Sequence, residues 1–299
     1  MENLISINDI SLSDMKAVFE RAKMREKIFN EYYGALKDKT LASLFLQPST
    51  RTQLSFQAAF TKLGGTYIGF SDINSSRSGP PYYEPLDDMG QIVSGYCDII
   101  VMRTINAKYT LALLEGAKVP VISAGSGNIE HPTQALTDLF TLTTHIGTNL
   151  SGLNILIIGT PRQRTINSLL IGLSNWENIN VYILCQNGVS LQDIICAKLT
   201  PTMNVRYYHS THQFLESGLA SQINVIYMDK IFNETNEYTE FVFTENELYN
   251  DFQNDIMIMH PLPRTRELPK TFDKHPGAIY FSQAQNGLYV RASLFLSYF

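Results

Sequence analysis

The chain has 299 residues and a formal net charge of -5; 44% of its residues are hydrophobic and 17% are charged. This length and composition indicate a globular protein of two domains rather than a disordered chain, and the charge argues against nucleic acid as a partner. Three cysteines without metal-ligand spacing, and an N-terminus unlike a signal peptide, predict a cytoplasmic protein with no disulfide framework, zinc site or membrane partner.

The first half of the chain alternates predicted helices and strands. After "SLSD", which can cap a helix, apolar residues at helical spacing over 12 to 37 predict a first helix. Strand-like runs follow in "TLASLFL", "TYIGF", "CDIIVMR" and "VPVISA". Between the first two runs lies the amphipathic "TQLSFQAAFTKL", and further helices are predicted near 85 to 96, 106 to 116 and 131 to 146.

The second half repeats this alternation. Its predicted strands are "LNILIIGT", "NVYILC", "NVIYM" and "IMIMHPL", with helices from about 163, near 190 to 199 and from about 283. Such alternation predicts an α/β fold with two doubly wound parallel-sheet domains. The Gly- and Ser-containing "HIGTNLSGLN" puts the boundary between domains 1–147 and 148–284.

The stretch "PSTRT" follows the first predicted strand and precedes a predicted helix. Ligands of parallel α/β sheets bind beyond the carboxyl ends of the strands, where helix N-termini offer free N–H groups. Ser49, Thr50 and Thr52 add hydroxyl groups, and Arg51 adds a forked cationic donor suited to phosphate. The stretch therefore predicts an anion site, although taken by itself it could also be a serine cap beside a surface arginine.

Three further polar stretches follow predicted strands. "VMRT" contains Arg103, "HPTQALTDLF" places His131 and Gln134 three residues apart at the start of a helix, and "HPLPR" follows "IMIM". Each could singly be a surface cation, a histidine satisfied by backbone, or a rigid turn. Only their joint order indicates a shared site.

That order resembles the aspartate and ornithine transcarbamoylase family, most closely its aspartate branch. The resemblance runs nearly end to end, through "FLQPSTRTQLSF", "GFSD", "DIIVMR", "HPTQALTDLFTL", "HPLPR" and "AIYFSQAQNGLYVRASL". It implies a first domain that binds carbamoyl phosphate, a second that binds an amino acid, and a C-terminal helix from about 285 packing back on the first. It also implies homotrimers with shared active sites, and carbamoyl transfer to a small amino acid without metal or cofactor.

The resemblance implies a role for each residue of the carbamoyl phosphate site. The residues that would hold the phosphate are Ser49, Thr50, Arg51, Thr52 and Arg103. Thr52, Arg103 and His131 would stabilise the negative charge that develops on the carbamoyl oxygen. The implied catalytic residues are thus Arg51, Thr52, Arg103 and His131.

The carbamoyl NH2 group would be bound by two acceptors. One is the side chain of Gln134, and the other is the backbone carbonyl of Leu262, presented by a cis peptide bond to Pro263. The Leu262 carbonyl would also help to orient the attacking amine, so Leu262 counts among the amino-acid-binding residues as well. Ser78, in the polar loop of residues 71 to 85, is the candidate for the serine that the family contributes from this loop.

The sequence departs from the aspartate branch where the acceptor should bind. The 71 to 85 loop, a candidate lid, has Tyr82 where the family has a lysine, and Arg77 lies several residues earlier. The aspartate-binding "TR.Q" stretch reads "DKIF", so the amino-acid site is predicted to contain Asp229, Lys230 and Phe232. Of the arginines with which the family binds the amino acid, only Arg164 clearly remains. Pro263 would also line this site.

Two departures concern the family's interdomain ion pair. Gln47 replaces the glutamate of that pair, and Thr235 replaces the arginine. A third departure is Gln53, which replaces an arginine expected near a subunit contact.

The departures in the amino-acid site leave the acceptor open between aspartate and a diamino acid such as 2,3-diaminopropionate, whose cation could pair with Asp229. The alternatives are a non-catalytic paralogue with a regulatory or scaffolding role, and a dehydrogenase, which the missing G-x-G-x-x-G fingerprint disfavours.

Overall fold

The computed structural model describes residues 2–77, 83–231 and 239–299. The chain forms two compact units: residues up to Phe140 with Gln285–Phe299, and Thr141–Ala284. Among the described residues, no helix combines the length and apolar character needed to cross a lipid bilayer.

The first unit contains a four-stranded parallel sheet. Its strands are β1 Thr40–Phe45, β2 Thr66–Phe70, β3 Ile99–Thr104 and β4 Val121–Ser126. They lie in the order β2-β1-β3-β4. The helices that begin in this unit are α1 Leu12–Ala22, α2 Lys27–Glu31, α3 Thr50–Lys62, α4 Leu86–Val93, α5 Ala107–Gly116 and α6 Pro132–Ile146.

The second unit contains a five-stranded parallel sheet. Its strands are β5 Asn154–Ile158, β6 Asn180–Leu184, β7 Asn204–Tyr208, β8 Val225–Met228 and β9 Met257–Met259. They lie in the order β7-β6-β5-β8-β9. The helices that begin here are α7 Arg164–Leu173, α8 Asp193–Cys196, α9 Thr211–Glu216, α10 Glu245–Asn250 and α11 Tyr280–Phe295.

Both sheets are parallel throughout, which confirms the predicted α/β fold with two parallel-sheet domains. In the central strands nearly every side chain is buried, because the connecting helices cover both faces of a parallel sheet. The edge strand β2 differs, since Tyr67 and Ile68 are 48% and 42% exposed.

Two predicted helices are shorter than the sequence pattern suggested. The helix expected over 12 to 37 is divided into α1 and α2, because Arg25 adopts φ 50, in the left-handed region that interrupts a right-handed helix. The helix expected near 190 to 199 consists of only α8. The chain after it closes in a tight turn, with Leu199 N–H bonded to Cys196 O, before Pro201, which lacks the N–H group that a continuing helix needs.

Each sheet has one point where the strand order reverses. In the first sheet the chain passes from β1 to β2 toward one edge and from β3 to β4 toward the other. In the second sheet it passes from β5 to β6 toward one edge and from β8 to β9 toward the other. Ligands of open α/β sheets bind at such points, beyond the carboxyl ends of the strands. The stretches "PSTRT" and "VMRT" therefore lie at the reversal point of the first sheet, while Arg164 and Asp229 follow the two central strands of the second.

Candidate active site

The predicted anion loop forms the start of α3. Ser49 is the N-cap residue of this helix, yet its hydroxyl makes no capping hydrogen bond. Backbone N–H groups of the first turn and this hydroxyl therefore stay available to an anion at the positive end of the helix dipole. This geometry disfavours the alternative of an ordinary serine cap.

Arg51 and Thr52 lie in the first turn of α3. The Arg51 side chain is exposed, whereas Thr52 is only 7% exposed. Partial desolvation lowers the pKa of the Arg51 guanidinium, and arginine nevertheless stays protonated at neutral pH. The single Ser55 O–H is shared between the carbonyl oxygens of Arg51 (2.7 Å) and Thr52 (2.9 Å), which fixes this turn.

Arg103 lies beside the same loop, near the carboxyl end of β3. Its carbonyl accepts a hydrogen bond from Leu46 N–H (2.9 Å), just beyond β1. Its Nε donates to Gln47 Oε1 (3.2 Å) and its Nη1 to Ala124 O (3.3 Å) in β4. The guanidinium is thus held between the segment that leads into "PSTRT" and the next strand.

Gln47 holds Arg103 without adding negative charge. We expect Gln47→Glu to weaken the binding of inorganic phosphate about tenfold, because a carboxylate hydrogen-bonded to this guanidinium would compete with the anion. Isothermal titration with phosphate measures the effect. Gln57→Glu, the same change in the third turn of α3, is the control, and equal affinity in both variants would contradict the prediction.

His131 and Gln134 lie at the start of α6. His131 is 3% exposed, and its carbonyl accepts the N–H groups of Gln134 (3.0 Å) and Ala135 (3.1 Å), so its backbone begins the helix. The preceding residue, Glu130, is buried and accepts hydrogen bonds from the Ser6 hydroxyl (2.9 Å) and the Ile7 N–H (3.0 Å), in the N-terminal segment. This attachment fixes the loop that places His131 beyond β4.

The Gln134 side chain has a defined partner one turn along α6. Its Nε2 donates to Asp138 Oδ1 at 2.8 Å, and Asp138 is fully buried. Residues four apart lie one above the other on a helix, which explains the pairing. The sequence analysis did not single out Asp138, although a carboxylate four residues after Gln134, with no other acidic residue in the helix, was a usable signal.

In the second unit, Arg164 and Asp229 follow the central strands of the sheet. Arg164 is the first residue of α7 and is half-buried; desolvation lowers its pKa, and the charge of Asp229 opposes that change. Burial raises the pKa of Asp229, and this effect is partly offset by hydrogen bonds from the Thr165 hydroxyl and the Lys230 N–H (2.7 Å). The carboxylate is thus engaged within its own unit on both oxygens.

The predicted turn at Leu262 and Pro263 is held by a buried histidine. The Leu262–Pro263 peptide bond is cis, and Leu262 adopts φ 51. The Leu262 N–H donates to Nδ1 of His260 (2.7 Å), and Nε2 of His260 lies 2.9 Å from Oε1 of Glu267. Because Nδ1 accepts a hydrogen bond, it carries no proton, and Nε2 is the donor to the carboxylate.

Glu267 completes this buried cluster. It also accepts hydrogen bonds from the hydroxyl and the backbone N–H of Thr265, the latter at 2.8 Å. Burial by itself would raise the pKa of Glu267, but the hydrogen bonds from His260 and Thr265 outweigh it and lower the pKa to about 2. The sequence analysis did not identify His260 or Glu267 as site residues, since they lie seven positions apart on irregular backbone.

Several predicted residues lie outside the described part of the chain: Ser78, Tyr82, Phe232 and Thr235. Arg77 is described and exposed, and Gln53 donates from Nε2 to Phe70 O at 3.2 Å. Within the described ranges, no group of three or more His, Cys, Asp or Glu side chains is arranged to hold a metal ion.

Two family models match consecutive parts of the chain. Residues 2–144 match "Aspartate/ornithine carbamoyltransferase, carbamoyl-P binding domain", and residues 151–298 match "Aspartate/ornithine carbamoyltransferase, Asp/Orn binding domain". Together these matches cover nearly the whole chain.

Curated relatives and solved structures agree with these models. The chain is 34% identical to the aspartate carbamoyltransferase catalytic subunit of Azobacteroides pseudotrichonymphae, over 98% of this chain and 97% of that protein. The solved catalytic subunit of Methanocaldococcus jannaschii aspartate transcarbamoylase superposes with a TM-score of 0.85 at 32% identity, over 99% of this chain and 97% of that one. The Trypanosoma cruzi enzyme, solved with carbamoyl aspartate and phosphate, gives a TM-score of 0.88 at 27% identity, over 99% and 95%.

Proposed function

Because the chain belongs to the aspartate/ornithine carbamoyltransferase family, we propose that it moves the carbamoyl group of carbamoyl phosphate to the amino group of a small amino acid. The observation that carries this proposal is the meeting of "PSTRT" and Arg103 at the reversal point of the first sheet. There the guanidinium of Arg103 is hydrogen-bonded to Gln47, two residues before Ser49. A helix N-terminus, hydroxyl groups and two arginines suit a dianionic phosphate.

The phosphate would be held at the start of α3. We assign this role to Ser49, Thr50, Arg51, Thr52 and Arg103. Their N–H, hydroxyl and guanidinium donors match the oxygens of a phosphate that must also leave at the end of the reaction. Neutralising its growing charge lowers the barrier to breaking the bond between phosphate and the carbamoyl carbon.

The carbamoyl oxygen would be stabilised by Thr52, Arg103 and His131. Negative charge collects on this oxygen when the amine attacks the carbamoyl carbon, and donors that are already fixed in place stabilise it without reorganisation. Thr52 and His131 are buried, which strengthens their hydrogen bonds. Positioning of the two substrates supplies the rest of the rate acceleration, and no covalent intermediate with the protein is needed.

The carbamoyl NH2 group would be bound by Gln134 and by the carbonyl of Leu262. The turn that contains Leu262 is fixed by the hydrogen bond from Leu262 N–H to His260, which leaves the carbonyl in a defined direction. Ser78 remains the candidate from the polar loop on the strength of the family resemblance.

The acceptor would be bound by the second unit, by Arg164 and Lys230 together with Pro263. The pairing of a diamino acid with Asp229 is disfavoured, because both oxygens of this carboxylate already accept hydrogen bonds within the unit. An acceptor that brings a carboxylate to the two cations suits the arrangement better, and relatives of this chain carry the name aspartate carbamoyltransferase. We therefore propose an aspartate-type acceptor, with Tyr82 and Phe232 as further candidates for its contacts.

Assembly and location stay predictions from the sequence. We propose a homotrimer, for which the exposed Tyr67 and Ile68 on the edge strand β2 offer an apolar surface. Light scattering coupled to gel filtration should then give three times the chain mass of 33.8 kDa.

The decisive experiment measures ureido-product formation from carbamoyl phosphate with aspartate, ornithine and 2,3-diaminopropionate in parallel. We expect turnover with aspartate to exceed that with either diamino acid, and we expect Arg51→Ala to abolish it. Arg206→Ala, an exposed arginine on β7 of the second unit, is the matched control. Absence of product with every amine, while carbamoyl phosphate still binds, would favour the non-catalytic alternative. Faster turnover with a diamino acid would overturn the assigned acceptor.

A further inference from the structure

We propose that Asp138 is a positioning residue that fixes the direction of the Gln134 side-chain amide and so gives the site its selectivity for a carbamoyl over an acyl group. This inference rests on the proposed function, in which Gln134 accepts a hydrogen bond from the carbamoyl NH2. The residues that carry it, in α3, α6 and α11, all belong to the first unit.

The amide of Gln134 can point either its oxygen or its nitrogen toward a ligand. An ionised carboxylate offers acceptors only, so the Gln134 atom at 2.8 Å from Asp138 Oδ1 must be the NH2 nitrogen. The amide oxygen then occupies the opposite side of the planar group, away from Asp138. Since Gln134 is half-buried and Asp138 is fully buried, this carboxylate anchors the amide from the interior.

A buried cation, Arg291, interacts with the charge of Asp138. Arg291 of α11 is 4% exposed, and its guanidinium lies 4.9 Å from the centre of the Phe56 ring. Burial lowers the pKa of Arg291 to about 10, and the negative charge of Asp138 acts against this change. Arg291 is therefore protonated at neutral pH, and its charge favours the acceptor-only form of Asp138.

The chemical consequence concerns the ligand atom that faces Gln134. Carbamoyl phosphate has an NH2 group there, whereas acetyl phosphate has a methyl group that donates no hydrogen bond. An amide oxygen held toward this position accepts a hydrogen bond from carbamoyl phosphate and none from acetyl phosphate. In the Asp138→Asn variant the neighbouring amide would both donate and accept, so Gln134 could turn its NH2 toward the ligand, and the discrimination would fall.

The test compares the dissociation constants of carbamoyl phosphate, acetyl phosphate and inorganic phosphate by isothermal titration, without an amine acceptor. We expect Asp138→Asn to reduce the preference for carbamoyl over acetyl phosphate about tenfold. Inorganic phosphate, which has no carbamoyl group, should bind within about twofold of the original protein. The control is Asp98→Asn, the same chemical change before β3, where Asp98 accepts Thr40 N–H (2.8 Å) at the opposite end of the sheet. It should leave all three constants unchanged.

Two further variants separate positioning from a general structural effect. In a Gln134→Met background, adding Asp138→Asn should change the preference less than about twofold, because Asp138 acts through Gln134. Asp138→Glu keeps an acceptor-only group and should retain most of the preference. An unchanged preference in Asp138→Asn, or an equal loss with Gln134 already absent, would overturn the inference. If the unaltered protein bound no carbamoyl phosphate, the proposed function itself would fail, which is a separate outcome.

Discussion

Replacing Arg103 with alanine is expected to lower kcat/KM for carbamoyl phosphate about 1,000-fold. The residue is assigned both to the phosphate and to the carbamoyl oxygen, so its removal weakens binding of the substrate and raises the barrier to reaction. Loss of a single donor to a developing negative charge typically costs roughly 100- to 1,000-fold, and here a full positive charge is lost with it. The measurement is steady-state product formation at a saturating concentration of the amine.

Arg103→Lys separates the charge of this residue from its geometry. Lysine keeps the charge but lacks the planar fork that reaches Gln47 and Ala124 at the same time. We expect it to recover only a small part of the lost activity. Arg206→Ala again serves as the control, and all variants are first compared by thermal unfolding. Activity within about tenfold of the original in Arg103→Ala would contradict the assigned role.

Replacing Glu267 with alanine is expected to lower the free energy of unfolding by about 3 to 5 kcal/mol. Glu267 is fully buried and accepts hydrogen bonds from His260 and Thr265, and removal of one member of a buried polar cluster leaves the others without a partner. The measurement is chemical denaturation at neutral pH. Glu20→Gln, which breaks the exposed ion pair between Glu20 of α1 and Lys23 just after it, is the control and should cost less than about 1 kcal/mol.

The lowered pKa of Glu267 predicts that the free energy of unfolding depends on pH in the acid range. The cluster lowers the pKa of Glu267 from 4.5 to about 2, a difference that corresponds to about 3 kcal/mol. Because the folded state has the lower pKa, this stabilisation is complete above about pH 4.5 and is lost as the pH falls toward 2. Unfolding free energies over this range should therefore fall less steeply in Glu267→Ala than in the original protein. Parallel curves would contradict the assigned cluster.

The turnover of Glu267→Ala gives a second readout. His260 fixes the Leu262 N–H, and Glu267 in turn binds His260, so a looser turn should present the Leu262 carbonyl less well. We expect kcat to fall more than the affinity for inorganic phosphate, which the first unit is assigned to bind.

The sequence by itself determined the fold class and identified the stretches from which the first unit's candidate site is built. Apolar runs with flanking helical periodicity identify parallel strands and their connections, because both are local properties of the chain. "PSTRT" lies beyond β1 as expected, whereas "VMRT", expected to follow its strand, forms the last four residues of β3 itself. Both still lie at one edge of the sheet, since residues that end parallel strands must meet there. The same local patterns overestimated the helices over 12 to 37 and 190 to 199, which are interrupted by the left-handed conformation of Arg25 and by the tight turn from Cys196 to Leu199.

Only the tertiary structure decided which polar atoms make hydrogen bonds within the protein. The sequence left Asp229 available to a cationic acceptor, whereas the fold brings Thr165 and the Lys230 N–H onto its two oxygens. It also gave no sign that His260 would join Leu262 to Glu267. A hydrogen bond requires its donor and acceptor to be placed to within a few tenths of an ångström, and composition and periodicity do not contain such positions.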